Sequence, residues 1–384
     1  MFSFDEGVTR AGTNCEKWDE RKAVFGTEDV LPMWVADMDF AAPQPVIDAM
    51  ARRVAHGAFG YTAITDADYD AVTGWMKRRH NLEIEKSDVL FSPGVVDSLR
   101  IAVAAVTQPG DTAVILTPVY GPFYASAEAA QCQIRRCPLA QNSAGWRIDF
   151  DALEAALKEG AKALMLCNPH NPVGRVWTRA ELEVVCSLAR ENNVTVISDE
   201  IHADLEMPGY KVTPILSVEP NAIQLISATK TFNLAALRHS SVLIKNADLR
   251  ARFKAEYDKR GIDGINLFGA LAQRTAYSEG EAWLNELLAY IDGNRRVVEE
   301  ALDGTVVKYS RLEATYLMWL DCRSITADST LLCEFIQKES GLILCDGREY
   351  RNGDGFLRIN LACQRKKVLD GMHRLEKSIR AFQQ

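Results

Sequence analysis

The sequence lacks an excess of positive charge. It carries 44 Lys and Arg against 52 Asp and Glu, which leaves a formal net charge of -8 at pH 7. Proteins that bind a nucleic acid backbone usually present a basic face, and no stripe of Lys or Arg stands out along this chain. We therefore expect no nucleic acid among its partners.

Long apolar runs and paired cysteine motifs are also missing. The apolar runs have the length of strands and the first 20 residues are polar and charged, so we expect neither a membrane span nor a secretory signal. The nine cysteines include no C-x-x-C pair, and several lie inside apolar patterns. This usage predicts reduced cysteines in the cytoplasm and no cysteine-based metal site.

Apolar runs alternate with amphipathic segments through the centre of the chain. Thr178 and Glu181 form a T-x-x-E capping box that begins one helix, and residues 149–160 have a helical pattern as well. Such alternation predicts an α/β fold with a mainly parallel central sheet and right-handed crossovers. The strand-like runs are β-rich and almost continuously apolar, as in strands buried on both faces: 112–118, 163–169, 194–200, 222–228 and 241–245.

The pattern changes after about residue 265. A long helical stretch is followed by three strand-like runs at 314–322, 341–347 and 355–362, which predicts a second, smaller α+β unit. The first 40 residues show no clear periodicity, and we expect an extended arm there.

Polar residues follow the predicted strands, at the edge where open parallel sheets bind ligands. Asp199 ends a buried strand, where a carboxylate is costly unless it meets a cation or strong donors. It either caps a helix or pairs with a protonated ring nitrogen of a ligand, with His202 close by. Asn171 belongs to the second of two Asn-Pro steps and either forms part of a plain turn or offers its amide to the ligand.

A lysine and the start of a helix add further candidate ligand contacts to Asp199, His202 and Asn171. Lys230 follows another strand and is either a solvated cation or the amine that reacts with a ligand aldehyde. Gly94 stands at the head of an apolar helix whose N–H groups and dipole suit a phosphate, with Ser227 and Arg238 as further phosphate contacts. One ligand with a phosphate, a ring nitrogen, a ring oxygen and an aldehyde satisfies all of these residues, and pyridoxal 5′-phosphate (PLP) fits.

At this point the sequence resembles the fold-type I PLP enzymes of aminotransferase class I/II over nearly its whole length. Its motifs are most similar to the aminotransferase-like cystathionine β-lyase, or C–S lyase, branch. The resemblance rests on VLPMWVADMDF (30–40), HGAFGYT (56–62), SPGVV (92–96), TPVYGPFY (117–124), CNPHNPVGRVWT (167–178), ISDEIHADL (197–205), SATKTFNLAAL (227–237) and GFLRINLAC (355–363).

The resemblance implies a three-layer PLP-transferase-like fold and a role for each matched residue. Lys230 is the catalytic lysine that holds the cofactor covalently, and Arg358 clamps the substrate α-carboxylate. The resemblance also implies that the arm, including Trp34 and Ala36, contributes to substrate specificity. The implied cofactor contacts are Gly94, Val95 and Ser227 to the phosphate, Asp199 to the ring nitrogen, Asn171 and His202 to the ring hydroxyl, and Tyr120 stacked on the ring.

The same resemblance implies a homodimer with shared active sites, in which Tyr61 reaches the phosphate of the neighbouring subunit. It also implies an arm at 1–40 that contributes to the small domain, a large PLP-binding domain at 41–280 and a small C-terminal domain at 281–384. From sequence alone, Arg358 could instead form a surface salt bridge, although the strand pattern around it speaks against this.

Three features depart from the lyase pattern. Arg238 matches a phosphate-binding arginine of the wider aminotransferase family, Gly121 stands where some lyases carry a second Tyr, and ACQR (362–365) replaces a Cys-Pro-Arg ending. The predicted function is a C–S β-lyase that cleaves L-cystathionine or related cysteine S-conjugates. The alternatives are an aminotransferase of an L-amino acid and, ranked last, a regulatory protein built on the same fold.

Overall fold

The computed structural model describes residues 3–143, 145–262 and 264–384. The N-terminal arm is not purely extended, because helical turns interrupt it at 16–25. The Asp19 carboxylate stabilises these turns by accepting hydrogen bonds from the backbone N–H groups of Gly12, Thr13 and Cys15. The first elements are α1 (Glu16–Asp19), α2 (Arg21–Phe25), β1 (Leu31–Pro32), α3 (Gln44–His56) and α4 (Asp66–His80).

Strands and helices then alternate as predicted. The capping box of Thr178 and Glu181 is present, with Thr178 Oγ1 accepting from the Glu181 N–H at 3.2 Å. The elements are β2 (Val89–Ser92), α5 (Val95–Val106), β3 (Thr112–Thr117), α6 (Pro122–Ala129), β4 (Gln133–Pro138), β5 (Ala140–Asn142), β6 (Gly145–Arg147), α7 (Phe150–Lys158), β7 (Ala161–Cys167), α8 (Arg179–Glu191), β8 (Thr195–Asp199), β9 (Ile223–Ile226), α9 (Ala228–Thr231) and β10 (Ser240–Leu243).

The central sheet has the order β2-β10-β9-β8-β7-β3-β4. Strands β4, β3, β7, β8 and β9 pair in parallel, whereas β10 runs antiparallel to both of its neighbours. The apolar run at 241–245 is therefore a buried strand but not a parallel one. A parallel strand would need a connection with a helix long enough to cross back over the sheet. The connection between β9 and β10 contains only the four-residue α9, so β10 runs antiparallel to β9.

The C-terminal part contains α10 (Ala247–Lys259), α11 (Leu267–Glu279), α12 (Glu281–Leu302), β11 (Lys308–Tyr309), β12 (Leu317–Asp321), α13 (Ser329–Ser340), β13 (Leu342–Ile343), β14 (Cys345–Asp346), β15 (Phe356–Asn360) and α14 (Arg365–Phe382). Its antiparallel sheet has the order β11-β12-β15-β14, and β1 of the arm pairs in parallel with β13. The domain boundaries at residues 40 and 280 stay a prediction.

Alternate residues of the central strands pack into two apolar clusters on opposite faces of the sheet. In β3, Ala113 and Ile115 belong to one cluster while Val114 and Leu116 belong to the other. The sheet is thus covered by helices on both faces, which confirms the predicted α/β class. Within the described residues, no helix is long and apolar enough to cross a membrane, and no group of three or more His, Cys, Asp or Glu could hold a metal ion.

Candidate active site

Polar residues meet at the carboxyl ends of neighbouring strands in the central sheet. Asn171 follows β7, Asp199 is the last residue of β8, and Lys230 lies in α9 just after β9. Tyr120 follows β3 on the other side of β7. Because these strands are parallel neighbours, their ends place the four side chains at one edge of the sheet.

Lys230 is partly buried, and its amine has one close hydrogen-bond acceptor among the described residues. Its Nζ donates a hydrogen bond to the backbone carbonyl of Ala36 at 2.6 Å. Burial and the nearby charge of Arg358 together lower the pKa of Lys230 to about 8, against the opposing effect of Asp37 and Asp199. The lowered pKa favours the neutral amine, which is the form that acts as a nucleophile or base.

Asp199 is buried at the strand end with little to satisfy its charge. Burial raises the pKa of Asp199 to about 6, opposed by the Ile201 N–H, which donates to Oδ1 at 3.1 Å, and by the charge of Lys230. A carboxylate in this position gains most from a cationic hydrogen-bond donor placed directly against it.

His202 and Asn171 line the same edge and are both buried. Burial lowers the pKa of His202 to about 3, and the charges of Lys230 and Arg358 act in the same direction, so the ring is neutral. Nδ1 of His202 is buried, and no polar atom of the described chain pairs with it. Such an orphaned atom points to a polar group supplied from outside the chain.

Arg358 reaches this edge from the C-terminal sheet. It lies in β15, and its buried guanidinium stacks over the ring of Tyr350 at 5.2 Å. Nη2 donates to the carbonyl of Trp34 at 2.8 Å and Nη1 to Oδ1 of Asn171 at 3.4 Å. Nε of Arg358 is buried without a partner among the described residues, which leaves an N–H donor available for a carboxylate.

The predicted phosphate contacts Gly94, Val95 and Arg238 lie near the start of α5. Gly94 is the N-cap of this helix, Val95 is its first residue, and a Cβ added at Gly94 would lie 3.3 Å from Oδ2 of Asp97. Arg238 Nη2 donates to the same Asp97 oxygen at 2.9 Å, although two-thirds of its side chain is exposed. These contacts bring the arginine to the end of α5 where backbone N–H groups are unsatisfied.

Ser227 is buried at the N-cap of α9. Its Oγ donates to the carbonyl of His239 at 2.6 Å and accepts from the N–H of Thr229 at 3.1 Å. In this arrangement the hydroxyl stabilises the turn that leads into Lys230, and a phosphate contact would have to compete with those bonds.

The remaining predicted residues fall into two groups. Tyr120 is partly exposed and interacts electrostatically with Asp199 and Arg358, so it belongs to the site. The carbonyls of Trp34 and Ala36 contact Arg358 and Lys230 as described above. Tyr61 is fully exposed, and no contact within the described residues brings it to the site of its own chain.

Three further residues, Tyr316, Asn233 and Asn360, contribute to the site through contacts that the sequence analysis did not predict. The hydroxyl of Tyr316 donates to the Ala36 carbonyl at 3.1 Å, the acceptor that Lys230 also uses. Asn233 and Asn360 bind the backbone of the arm beside it. Both asparagines lie inside motifs quoted above, at 227–237 and 355–363, but those motifs do not reveal their contacts with the arm, since their partners lie 195 and 325 residues away in sequence.

Residues 28–375 match the family of aminotransferase class I and II. The chain belongs to this family. It is 40% identical to cystathionine beta-lyase PatB of Bacillus subtilis, over 98% of this chain and 100% of that protein. It is 32% identical to protein MalY of Escherichia coli, over 99% of this chain and 100% of that protein.

A solved structure gives the same result for the fold. The crystal structure of cystalysin from Treponema denticola, which contains PLP, has a TM-score of 0.95 to this chain at 32% identity, covering 99% of each chain. The family, the lyase branch within it and the three-layer fold expected from the motifs are thus confirmed.

Proposed function

We propose that this chain is a PLP-dependent C–S β-lyase that acts on L-cystathionine or related cysteine S-conjugates. The products are a thiol, which is homocysteine from cystathionine, together with pyruvate and ammonia. The observation that carries the proposal is the partly buried Lys230 amine, which interacts electrostatically with Asp199 and Arg358 and has a pKa lowered to about 8. The similarity to a cystathionine β-lyase over 98% of the chain supports this choice of reaction.

The residues at the sheet edge fit PLP. Asp199 would pair with the ring nitrogen, whose positive charge would offset the cost of burying this carboxylate. The orphaned Nδ1 of His202 and the amide of Asn171 suit the ring oxygen. The N–H groups at Gly94 and Val95, with Ser227 and Arg238, suit the phosphate, and Tyr120 would cover the ring.

When bound, PLP supplies an electron sink that stabilises negative charge at the substrate Cα. Arg358 holds the substrate α-carboxylate through Nε and one Nη, and so orients the Cα–H bond towards Lys230. Lys230 Nζ takes the Cα proton and donates a proton to the departing sulfur. Trp34 and Ala36 border the substrate from the arm.

The reaction is tested with L-cystathionine and with S-methyl-L-cysteine. A lyase releases pyruvate and free thiol over many turnovers without a second substrate. One equivalent of turnover that resumes only when an oxo acid is added would overturn the proposal and identify an aminotransferase. That alternative is kept because the family includes aminotransferases and because Arg238 lies beside the start of α5.

A Lys230→Ala variant separates the enzyme from a purely regulatory protein. Turnover should be lost in this variant, whereas a regulatory role would survive. We also propose a homodimer in which the exposed Tyr61 of each subunit completes the partner's site. A cytoplasmic location is proposed from the nine cysteines, all of which are free in the structure.

A further inference from the structure

The segment Trp34–Phe40, here called the arm segment, has a side-chain donor on every one of its carbonyl groups. Irregular chain of this kind would be free to shift if solvent satisfied its carbonyls, but here side chains hold each of them. Arg358 donates to the carbonyl of Trp34, Asn360 to those of Val35 and Asp37, and Lys230 and Tyr316 to that of Ala36. Lys17 also donates to the carbonyl of Asp37, and Asn233 and Arg10 donate to that of Met38. Gln364 donates to the carbonyl of Asp39, and Asn233 to that of Phe40.

The arm segment contacts both cations of the site. Lys230, which follows the central sheet, donates to the Ala36 carbonyl at 2.6 Å. Arg358, which belongs to the C-terminal sheet, donates to the Trp34 carbonyl at 2.8 Å. The two carbonyls are two residues apart on one chain, so the position of that chain sets the separation of the amine from the guanidinium.

Asn360 holds the arm segment between these two contacts. Its Nδ2 donates to the carbonyls of Val35 and Asp37, both at 2.6 Å, and its Oδ1 accepts from the N–H of Ala362 at 2.8 Å. The side chain is 1% exposed, so solvent cannot replace these bonds. Asn360 therefore binds the backbone of the residues on both sides of Ala36.

Asn233 holds the far end of the same segment. Its Nδ2 donates to the carbonyls of Met38 and Phe40 at 3.0 and 2.8 Å, and its Oδ1 accepts from the Met38 N–H at 3.0 Å. Its φ of 57° lies in the left-handed region, where asparagine is one of the tolerated residues. Asn233 belongs to the same turn as Lys230, as Asn360 belongs to the same strand as Arg358.

We propose that Asn360 and Asn233 are positioning residues that fix the arm segment and thereby the spacing of Lys230 and Arg358. The proposal rests on the proposed function for its kinetic consequence but not for its geometry. Neither asparagine touches the reacting atoms. Asn360 acts through the carbonyls of Val35 and Asp37, which flank the Ala36 carbonyl that accepts from Lys230. Asn233 acts from further along the arm segment, through the Met38 carbonyl two residues after Ala36.

The test compares the wild-type chain with Asn360→Leu, Asn360→Asp and Asn233→Gly. The leucine removes both donors without adding charge, the aspartate adds charge as well, and the glycine keeps the left-handed backbone. After removal of PLP, Lys230 is labelled with acetic anhydride across the pH range, and its extent of labelling is followed by mass spectrometry. Displacement of Ala36 would remove a carbonyl acceptor from the Lys230 amine and change its burial, which is the main cause of its lowered pKa, so the labelling midpoint should move away from that of the wild-type chain.

The chain offers a matched control in Asn294. Its Nδ2 bridges the carbonyls of Leu361 and Cys363 at 2.9 and 2.8 Å, and it is equally buried, but it binds neither the arm segment nor a cation of the site. Asn294→Leu should lower the melting temperature as Asn360→Leu does, yet leave the Lys230 midpoint in place. Equal midpoints for the Asn360, Asn294 and wild-type proteins would overturn the proposal.

Kinetics of the PLP-loaded variants give a second readout. A misplaced arm segment should raise KM and lower kcat/KM by about 10- to 100-fold in the Asn360 variants. If the wild-type enzyme shows no lyase turnover, the proposed function fails, while the labelling still tests the positioning role. If turnover is normal and the midpoints do not move, the positioning role fails alone.

Discussion

Thr231, the residue after Lys230, donates a hydrogen bond from its hydroxyl to Oδ2 of Asp204 at 2.9 Å. Asp204 is buried and also accepts from Nε1 of Trp75 at 2.9 Å and from Nε2 of His80 at 2.7 Å. These donors hold the pKa of Asp204 below its usual range against the effect of its burial. One carboxylate thus joins α4 to the short helix that carries Lys230.

We expect Thr231→Val to lower the free energy of unfolding by about 2 kcal/mol, because it removes one hydrogen bond to a buried carboxylate at constant side-chain volume. Thr231→Ser keeps the hydroxyl and should retain more of the stability. Urea unfolding of the PLP-loaded proteins measures both. Equal losses in the two variants would show that the hydroxyl contributes nothing.

Asp199 should destabilise the chain when PLP is absent. Its folded pKa of about 6 lies above the usual value of 3.8, so the folded state binds the extra proton between pH 4 and 6. Stability from this group is present below that window and is lost as pH rises through it. Cofactor-free Asp199→Asn should therefore be more stable than wild type at pH 8, by about 3 kcal/mol, and no more stable at pH 4.

Binding of PLP should reverse this order. The ring nitrogen gives the Asp199 carboxylate a cationic partner, so PLP should raise the melting temperature of wild type more than that of Asp199→Asn. Thermal unfolding at pH 8 with and without PLP makes the comparison. If wild type were the more stable protein in the absence of PLP, the carboxylate would not carry the burial cost that we assign to it.

Arg358 should matter for binding of the α-carboxylate. Because its guanidinium is buried and presents a fork of donors, Arg358→Lys should raise KM for L-cystathionine and lower kcat/KM by about 30-fold or more, a cost of 2 kcal/mol or above. Steady-state kinetics on both proteins test this. Arg238→Lys is a suitable comparison, since that exposed cation should affect PLP affinity and leave the substrate KM within error.

Some parts of this site could be predicted from the sequence, and others could not because they depend on contacts between distant parts of the chain. Asp199 and Lys230 follow apolar strands, and the ends of parallel strands meet at one sheet edge, so local pattern was enough to place them together. The antiparallel direction of β10 and the helical turns at 16–25 depend on pairing and capping that a periodicity does not encode. The contact of Asn360 with Val35 depends on the docking of the arm on the C-terminal sheet, which only the folded chain reveals.

Tyr61 provides the test of shared active sites. It is fully exposed, and Phe59 two residues before it is exposed as well, so this stretch of chain is open to a second subunit. If Tyr61 serves the partner's site, Tyr61→Ala and Lys230→Ala each inactivate a homodimer through different subunits. A mixed dimer then contains one site with both defects and one site with neither.

Mixing the two inactive variants under conditions that exchange subunits should therefore restore activity. At equal concentrations with random exchange, half of the dimers are mixed and each has one intact site, so about one-quarter of the wild-type activity should return. Activity is assayed as pyruvate release, and size-exclusion chromatography with light scattering checks the dimer. A mixture that stays as inactive as its components would place Tyr61 in the site of its own subunit, since an intact Lys230 and an intact Tyr61 would then never meet. A Tyr61→Ala variant that is active by itself would place Tyr61 outside the site.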